Sequence, residues 1–151
     1  MKFCFILIIS TLVGTFAMAQ TPSNLSLGYI YRVNSGLPGK QVYISGQRPY
    51  NEKGELVGVG NLSRQTEQVF ENIKASLGRM GMTMSNVTQV TYNYKGSSGK
   101  GLVDQNLTQQ VAGIAKTYFA GVTTSQIAKT NSVAKIVQDD ILIEIEVIAV
   151  K

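Results

Sequence analysis

The chain opens on an almost unbroken apolar run, Phe3 to Val13, and then settles into segments of alternating or helical period. Leu27 to Val33 is rich in aromatic and branched residues and reads as a strand, closed by the turn cluster Asn34-Ser35-Gly36-Leu37-Pro38-Gly39. Gln41 to Gln47 reads as a second strand, with Val42 and Ile44 on one face and Tyr43 and Ser45 on the other. Pro49 to Gly54 breaks the pattern, and Glu55 to Val59 resumes it as a hairpin-like return. From Leu62 the period becomes helical: Val69, Ile73, Leu77 and Met80 recur on one stripe that Phe70 broadens. Ser63 is the expected N-cap of this helix and Gly81 its stop. Asn86 to Tyr94 alternates again, placing Val87, Gln89, Thr91 and Asn93 opposite Thr88, Val90, Tyr92 and Tyr94. Asp104 to Phe119 follows as a second helix, with Leu107, Val111, Ile114, Ala115 and Tyr118 on one face. Gln126 to Val137 and Ile141 to Val150 are the last two strands, joined by a short polar turn through Gln138-Asp139-Asp140. The predicted order is ββ(β)αβαββ: an α+β domain in which two helices cover one face of a mixed sheet.

The opening run carries a targeting signature. Lys2 supplies the positive start, the apolar run follows, and Ala17-Met18-Ala19 gives a small-x-small cleavage pattern with Gln20 as the new N-terminus. The run is too short to span a bilayer comfortably, and no second apolar segment follows. Cys4 does not follow a small-residue box, so it is not read as a lipid attachment site. Residues 1–19 are therefore expected to be a signal peptide, 20–26 a flexible leader and 27–151 a single domain. The mature protein is expected to be exported, periplasmic or secreted, without membrane association after cleavage.

Composition then removes several chemistries. The one cysteine, Cys4, leaves with the signal, and the chain has no histidine. Disulfides, thiol nucleophiles, thiolate or imidazole metal sites and His-based triads are excluded from the mature domain; no metal or cofactor is expected. Of the 14 Lys plus Arg, Lys2 also leaves, so thirteen face nine Asp plus Glu, a side-chain charge of +4. These charges are scattered without an arginine stripe, and no nucleic-acid partner is expected. Ser97-Ser98-Gly99-Lys100-Gly101 shares glycine and lysine with phosphate loops but lacks their spacing.

Three segments resemble the signature of the RidA (YjgF) family. They are Val42-Tyr43-Ile44-Ser45-Gly46-Gln47, the helix pattern Gln65-Thr66-Glu67-Gln68-Val69-Phe70-Glu71-Asn72-Ile73 with Leu77 and Gly81, and Ile143-Glu144-Ile145-Glu146-Val147-Ile148-Ala149-Val150. The resemblance covers essentially the whole mature chain. It implies a chorismate-mutase-like fold: a mixed six-stranded sheet with two helices on one face, assembled as a homotrimeric barrel with ligand clefts between subunits. Active members of that family hydrolyse enamines and imines of amino acids to keto acids and ammonia. That chemistry needs a fixed cation for the substrate carboxylate and a polar group to position water.

Carried over by motif, Glu144 and Ser45 are the candidate catalytic residues. Tyr29 or Tyr31 matches the cleft tyrosine, and Gln47 and Lys129 complete the candidate substrate-binding set. Each has a bland alternative: a strand-end serine, a structural carboxylate, packed tyrosines, a solvated lysine. The family arginine before the penultimate strand is missing. Ungapped counting from Glu144 lands on Lys129; aligning Val133-Ala134-Lys135-Ile136 instead lands on Ala128, and no arginine follows Arg79. An asparagine usual on the family's second helix falls at Ala112.

A lysine is a point charge on a flexible stem and holds a carboxylate less rigidly than a guanidinium fork. The leading expectation is thus a homotrimer that binds a small carboxylate-bearing metabolite with little 2-iminopropanoate deaminase activity. Two alternatives stay open: an imine or enamine deaminase of different substrate using Glu144 and Lys129, and a ribonuclease or translation inhibitor.

Overall fold

The computed structural model describes residues 39–96, 103–122 and 126–151, together with the backbone of 30–33. The expected signal (1–19), the leader (20–26), Tyr29 and the Ser97–Gly101 loop lie outside the described residues. The elements are β1 (Ile30–Val33), β2 (Gln41–Gln47), α1 (Leu62–Arg79), β3 (Val87–Lys95), α2 (Gln105–Tyr118), β4 (Ile127–Val133) and β5 (Ile143–Val150). Among the described residues they form one five-stranded sheet of order β1-β2-β5-β3-β4. Only β3 and β4 run parallel; the other neighbours are antiparallel.

Two expectations about the sheet are corrected. The return predicted over Glu55–Val59 is a single bridge, Tyr50 to Leu56, rather than a sixth strand. Asn51 explains why: its Oδ1 accepts from the amides of Lys53 and Glu55, closing a tight polar turn that leaves no length for a ladder. The strand predicted to run to Val137 ends at Val133, and Val137 has a φ of +38°, which a β-branched residue rarely adopts. β4 and β5 are not neighbours, because β3 lies between them.

α1 follows from its stripe and its caps. Asn61, not Ser63, is the N-cap: its side chain accepts from the Arg64 amide at 3.0 Å. Ser63 sits inside the first turn, where its hydroxyl accepts from Gln110 of α2 at 2.6 Å. At the other end Gly81 takes a φ of +67°, and the Met82 amide reaches back to Leu77 O while that of Gly81 reaches Gly78 O. That left-handed closure satisfies two last-turn carbonyls and stops the helix where glycine was expected to.

The core lies between the helices and one sheet face. Val69, Phe70, Ile73 and Leu77 of α1 are buried against Val42, Ile44, Ile143, Ile145 and Val147. Phe70 stacks on Tyr118 at 4.8 Å and meets Phe119 edge-on at 5.9 Å, so one ring joins the two helices. Val87 was expected opposite Val90, yet both are buried in this core. A register shift between Val87 and Gln89 inserts one residue and reverses the alternation below it.

Tyr92 and Tyr94 point into the same layer, and burial pushes the Tyr92 phenol up from 10.0 to about 12 and that of Tyr94 further still. A group whose folded pKa is raised contributes stability that is complete below its unfolded value and lost as pH climbs through the folded one. Stability is therefore expected to hold to about pH 10 and fall toward pH 12. Melting temperatures between pH 8 and 12 check this, and Tyr92→Phe should flatten the fall; a flat profile in the parent protein contradicts it.

Candidate functional site

Among the described residues, the sheet has a second face that no helix covers. Tyr43, Ser45, Gln89, Thr91, Asn93, Glu144, Glu146 and Ile148 alternate with the core residues and are all half-buried. This polar face is where the candidate chemistry collects, and a bulge in β2 shapes it. Ile44 pairs with Val147 but Gln47 pairs with Ile145, so β2 carries one extra residue there. Gly46 absorbs it with a φ of +57°, a conformation that favours glycine. Without the bulge, alternation from Ile44 would send Gln47 outward and Arg48 toward the helices. With it the assignments swap.

Glu144 is the centre of the result. Arg48 Nε donates to Glu144 Oε2 at 2.7 Å, with the two side chains 26 % and 15 % exposed. Asn93 Nδ2 makes a long 3.5 Å contact with Oε1, and Asn131 Nδ2 donates to Asn93 Oδ1 at 2.8 Å. One repeat along β5, Tyr43 donates its hydroxyl to Glu146 Oε2 at 2.7 Å. Burial, and then the hydrogen bond to Glu146, raise the Tyr43 pKa above its ordinary value, so the phenol stays protonated and donating. The Arg48–Glu144 pair lies directly over Gly46: a Cβ there would touch Glu144 Oε2 at 3.4 Å and an Arg48 terminal nitrogen at 3.5 Å, ordinary contact distances, so it is the positive φ rather than crowding that calls for glycine.

The residues expected from sequence divide clearly. Glu144 and Ser45 share the open face. Gln47 does not: it is fully buried, and its amide donates to the Ser45 carbonyl at 3.2 Å, so it braces the bulge from the helix side. Tyr31 pairs through its backbone with Tyr43, while its side chain, like all of Tyr29, lies outside the described residues.

Register separates Lys129 from Ala128. Lys129 pairs with Thr91, which pairs with Glu146, so Lys129 lies on the open face about 10 Å across two strands from that glutamate. Ala128 faces the helices and, with Ala112, Tyr92, Tyr94 and Phe119, lines a cavity of about 300 Å³ between α2 and the sheet. Lys129 is exposed and, among the described residues, makes no ion pair or hydrogen bond.

A family profile described as Endoribonuclease L-PSP matches residues 29–151. The chain belongs to this family, the RidA (YjgF) proteins. Among RidA relatives, a RutC family protein of Pyrococcus horikoshii is 35 % identical over 114 residues, covering 75 % of this chain and 81 % of the relative. The solved structure of a Rid-family protein, YyfA, from Yersinia pestis superposes with a TM-score of 0.61 at 30 % identity, over 78 % of this chain and 88 % of that one. The YjgF gene product of Escherichia coli gives a TM-score of 0.61 at 26 % identity, over 76 % and 84 %.

Membership gives meaning to two buried polar residues of the RidA helix pattern that the sequence reading quoted without a role. Asn72 donates through Nδ2 to the carbonyls of Arg48 and Tyr50, each at 2.9 Å, and its Oδ1 accepts from Gln68. Gln65, fully buried, donates to Gly58 O and Asp140 O and accepts from the Leu142 amide. One side chain therefore fixes the segment that carries Arg48, and the other fixes the entry to β5 two residues before Glu144. Arg48, which the structure puts against Glu144, lay outside the set carried over by motif. The signal that could have found it is Gly46, the glycine that licenses the bulge.

Proposed function

We propose that this chain is an exported RidA-family protein that works as a homotrimer and binds a small carboxylate-bearing metabolite on the open sheet face around Glu144, between subunits, with slow or absent 2-iminopropanoate hydrolysis. One observation carries the reading: of the two positions that motif counting offers for the family arginine, Lys129 lies on the open face, exposed and unpaired among the described residues, while Ala128 lines the helix side. An ammonium there cannot hold a substrate carboxylate in one orientation as a bidentate fork does. The trimer is supported by the face itself. Half-buried polar and apolar groups lie on a sheet that the helices leave uncovered, and Ile127 stands 63 % exposed on β4 beside it. Subunit packing would cover both.

The test is direct. Purified residues 20–151 should elute at the size of a trimer and hydrolyse 2-iminopropanoate at least about 30-fold more slowly than a relative that carries the family arginine before the penultimate strand, the loss set by the missing contact at that position. Equal rates would refute the reading. A deaminase with a different substrate has one observation behind it: only Oε2 of Glu144 is engaged at short range, leaving Oε1 with the long Asn93 contact and room for a water. That alternative requires turnover of some imine that Glu144→Ala abolishes.

A further inference from the structure

We propose that Arg48, rather than Lys129, clamps the ligand's carboxylate. The inference rests on the small-carboxylate reading above and assigns the residue responsible for it. A rigid fork needs a guanidinium whose stem is fixed and whose terminal N–H groups are free. Arg48 meets both conditions. Its backbone is held by Asn72 through the Arg48 and Tyr50 carbonyls, and its Nε is held by Glu144 at 2.7 Å. Among the described residues the guanidinium has no other hydrogen-bond partner, so its four terminal N–H groups remain available. At 26 % exposure the head is partly screened from water yet open to a small molecule.

Glu144 acts here as the anchor of the fork. A carboxylate gripping Nε stops the long side chain from sweeping, so little rotamer freedom is left to lose on binding. Gly46 matters through its backbone: its φ of +57°, which favours glycine, makes the bulge that turns Arg48 onto the open face beside Glu144. Asn93 and Asn131 stand beside the pair and offer amide groups to the rest of the ligand. Lys129 lacks all of this: it is exposed and, among the described residues, has no partner to orient it. Slow turnover is still expected with this fork, because it reaches the ligand from the end of β2 rather than from the family position on β4, and Oε2 of Glu144 is engaged in holding it.

The probes are pyruvate and its uncharged amide, pyruvamide, titrated calorimetrically into residues 20–151 and into Arg48→Gln, Lys129→Met and the double variant Arg48→Gln/Glu144→Gln. The parent protein is expected to prefer pyruvate at least tenfold, and Arg48→Gln to weaken pyruvate on the order of 10–100-fold while leaving pyruvamide nearly unchanged. The double variant removes the carboxylate that Arg48→Gln would leave unpaired. It should stay as weak as the single variant if the fork is the clamp, and recovery of pyruvate binding would show that Arg48 only neutralises Glu144, overturning the proposal. So would an Arg48→Gln protein that keeps its preference for pyruvate while Lys129→Met loses it, an outcome that leaves the functional reading intact. A parent protein that binds neither probe overturns both.

Discussion

Replacing Gln65 with leucine is expected to lower stability by about 3 kcal/mol, roughly 10 °C in melting temperature for a domain of this size. Leucine nearly matches glutamine in volume, so the loss is electrostatic rather than steric. Gln65 is fully buried and spends its amide on three backbone groups: Gly58 O at 3.1 Å, Asp140 O at 2.6 Å and Leu142 N at 2.8 Å. An apolar substitute orphans those groups in the interior, and each orphan costs about 1–3 kcal/mol before local relaxation returns part of it. The segment freed leads directly to Glu144, so ligand binding should weaken together with stability. Ser76→Ala supplies the contrast. Ser76 is equally buried, but its hydroxyl has no partner among the described residues, so its removal should be neutral or slightly stabilising. Denaturant unfolding of both variants decides the matter; a Gln65→Leu protein within 1 kcal/mol of the parent would mean that the 140–142 segment holds itself.

Phe70→Ala should cost about 4 kcal/mol, near the middle of the range for deleting a buried phenyl ring. Its ring is fully buried, stacked on Tyr118 and edge-on to Phe119, and is the main apolar link between the helices. α2 buries only Val111 and Ala115, and its Leu107, Ile114 and Tyr118 are only partly buried against the core. The cavity left by alanine should therefore be felt unevenly. Hydrogen exchange is expected to speed up across Gln105–Tyr118 more than across α1, whose Val69, Ile73 and Leu77 remain seated. A uniform increase in both helices would show that α2 docks through contacts other than this ring.

Much of the fold was legible from periodicity alone. α1 announced itself through Val69, Ile73 and Leu77, and β5 through Ile143, Ile145 and Val147 alternating with its two glutamates and Ile148, because burial on one face imposes a period that the sequence has to display. The misreadings cluster where one residue breaks a period. Val87 was assigned to the wrong face because an inserted residue reverses the alternation after it, and the return at Glu55–Val59 dissolved because Asn51 closes its turn too tightly. Asn61 displaced Ser63 as the N-cap because two capping residues lay within one turn and only geometry chooses between them.

The site follows the same division. Motif matching named Ser45 and Glu144, and the register puts both on the open face because they sit in strands whose alternation is tied to the core. It could not find Arg48 or exclude Gln47, because both depend on Gly46 taking a left-handed conformation that turns Gln47 inward and Arg48 outward. The linear order of residues determined which side chains exist, which faces they alternate between and that no imidazole chemistry is available, since the chain has no histidine. It could not say which cation meets the carboxylate. That choice depends on a bulge and on two buried amides, Gln65 and Asn72, acting across 22 to 77 positions of chain. Hydrogen bonds over such separations form only once packing has brought the segments together, and no local pattern encodes them.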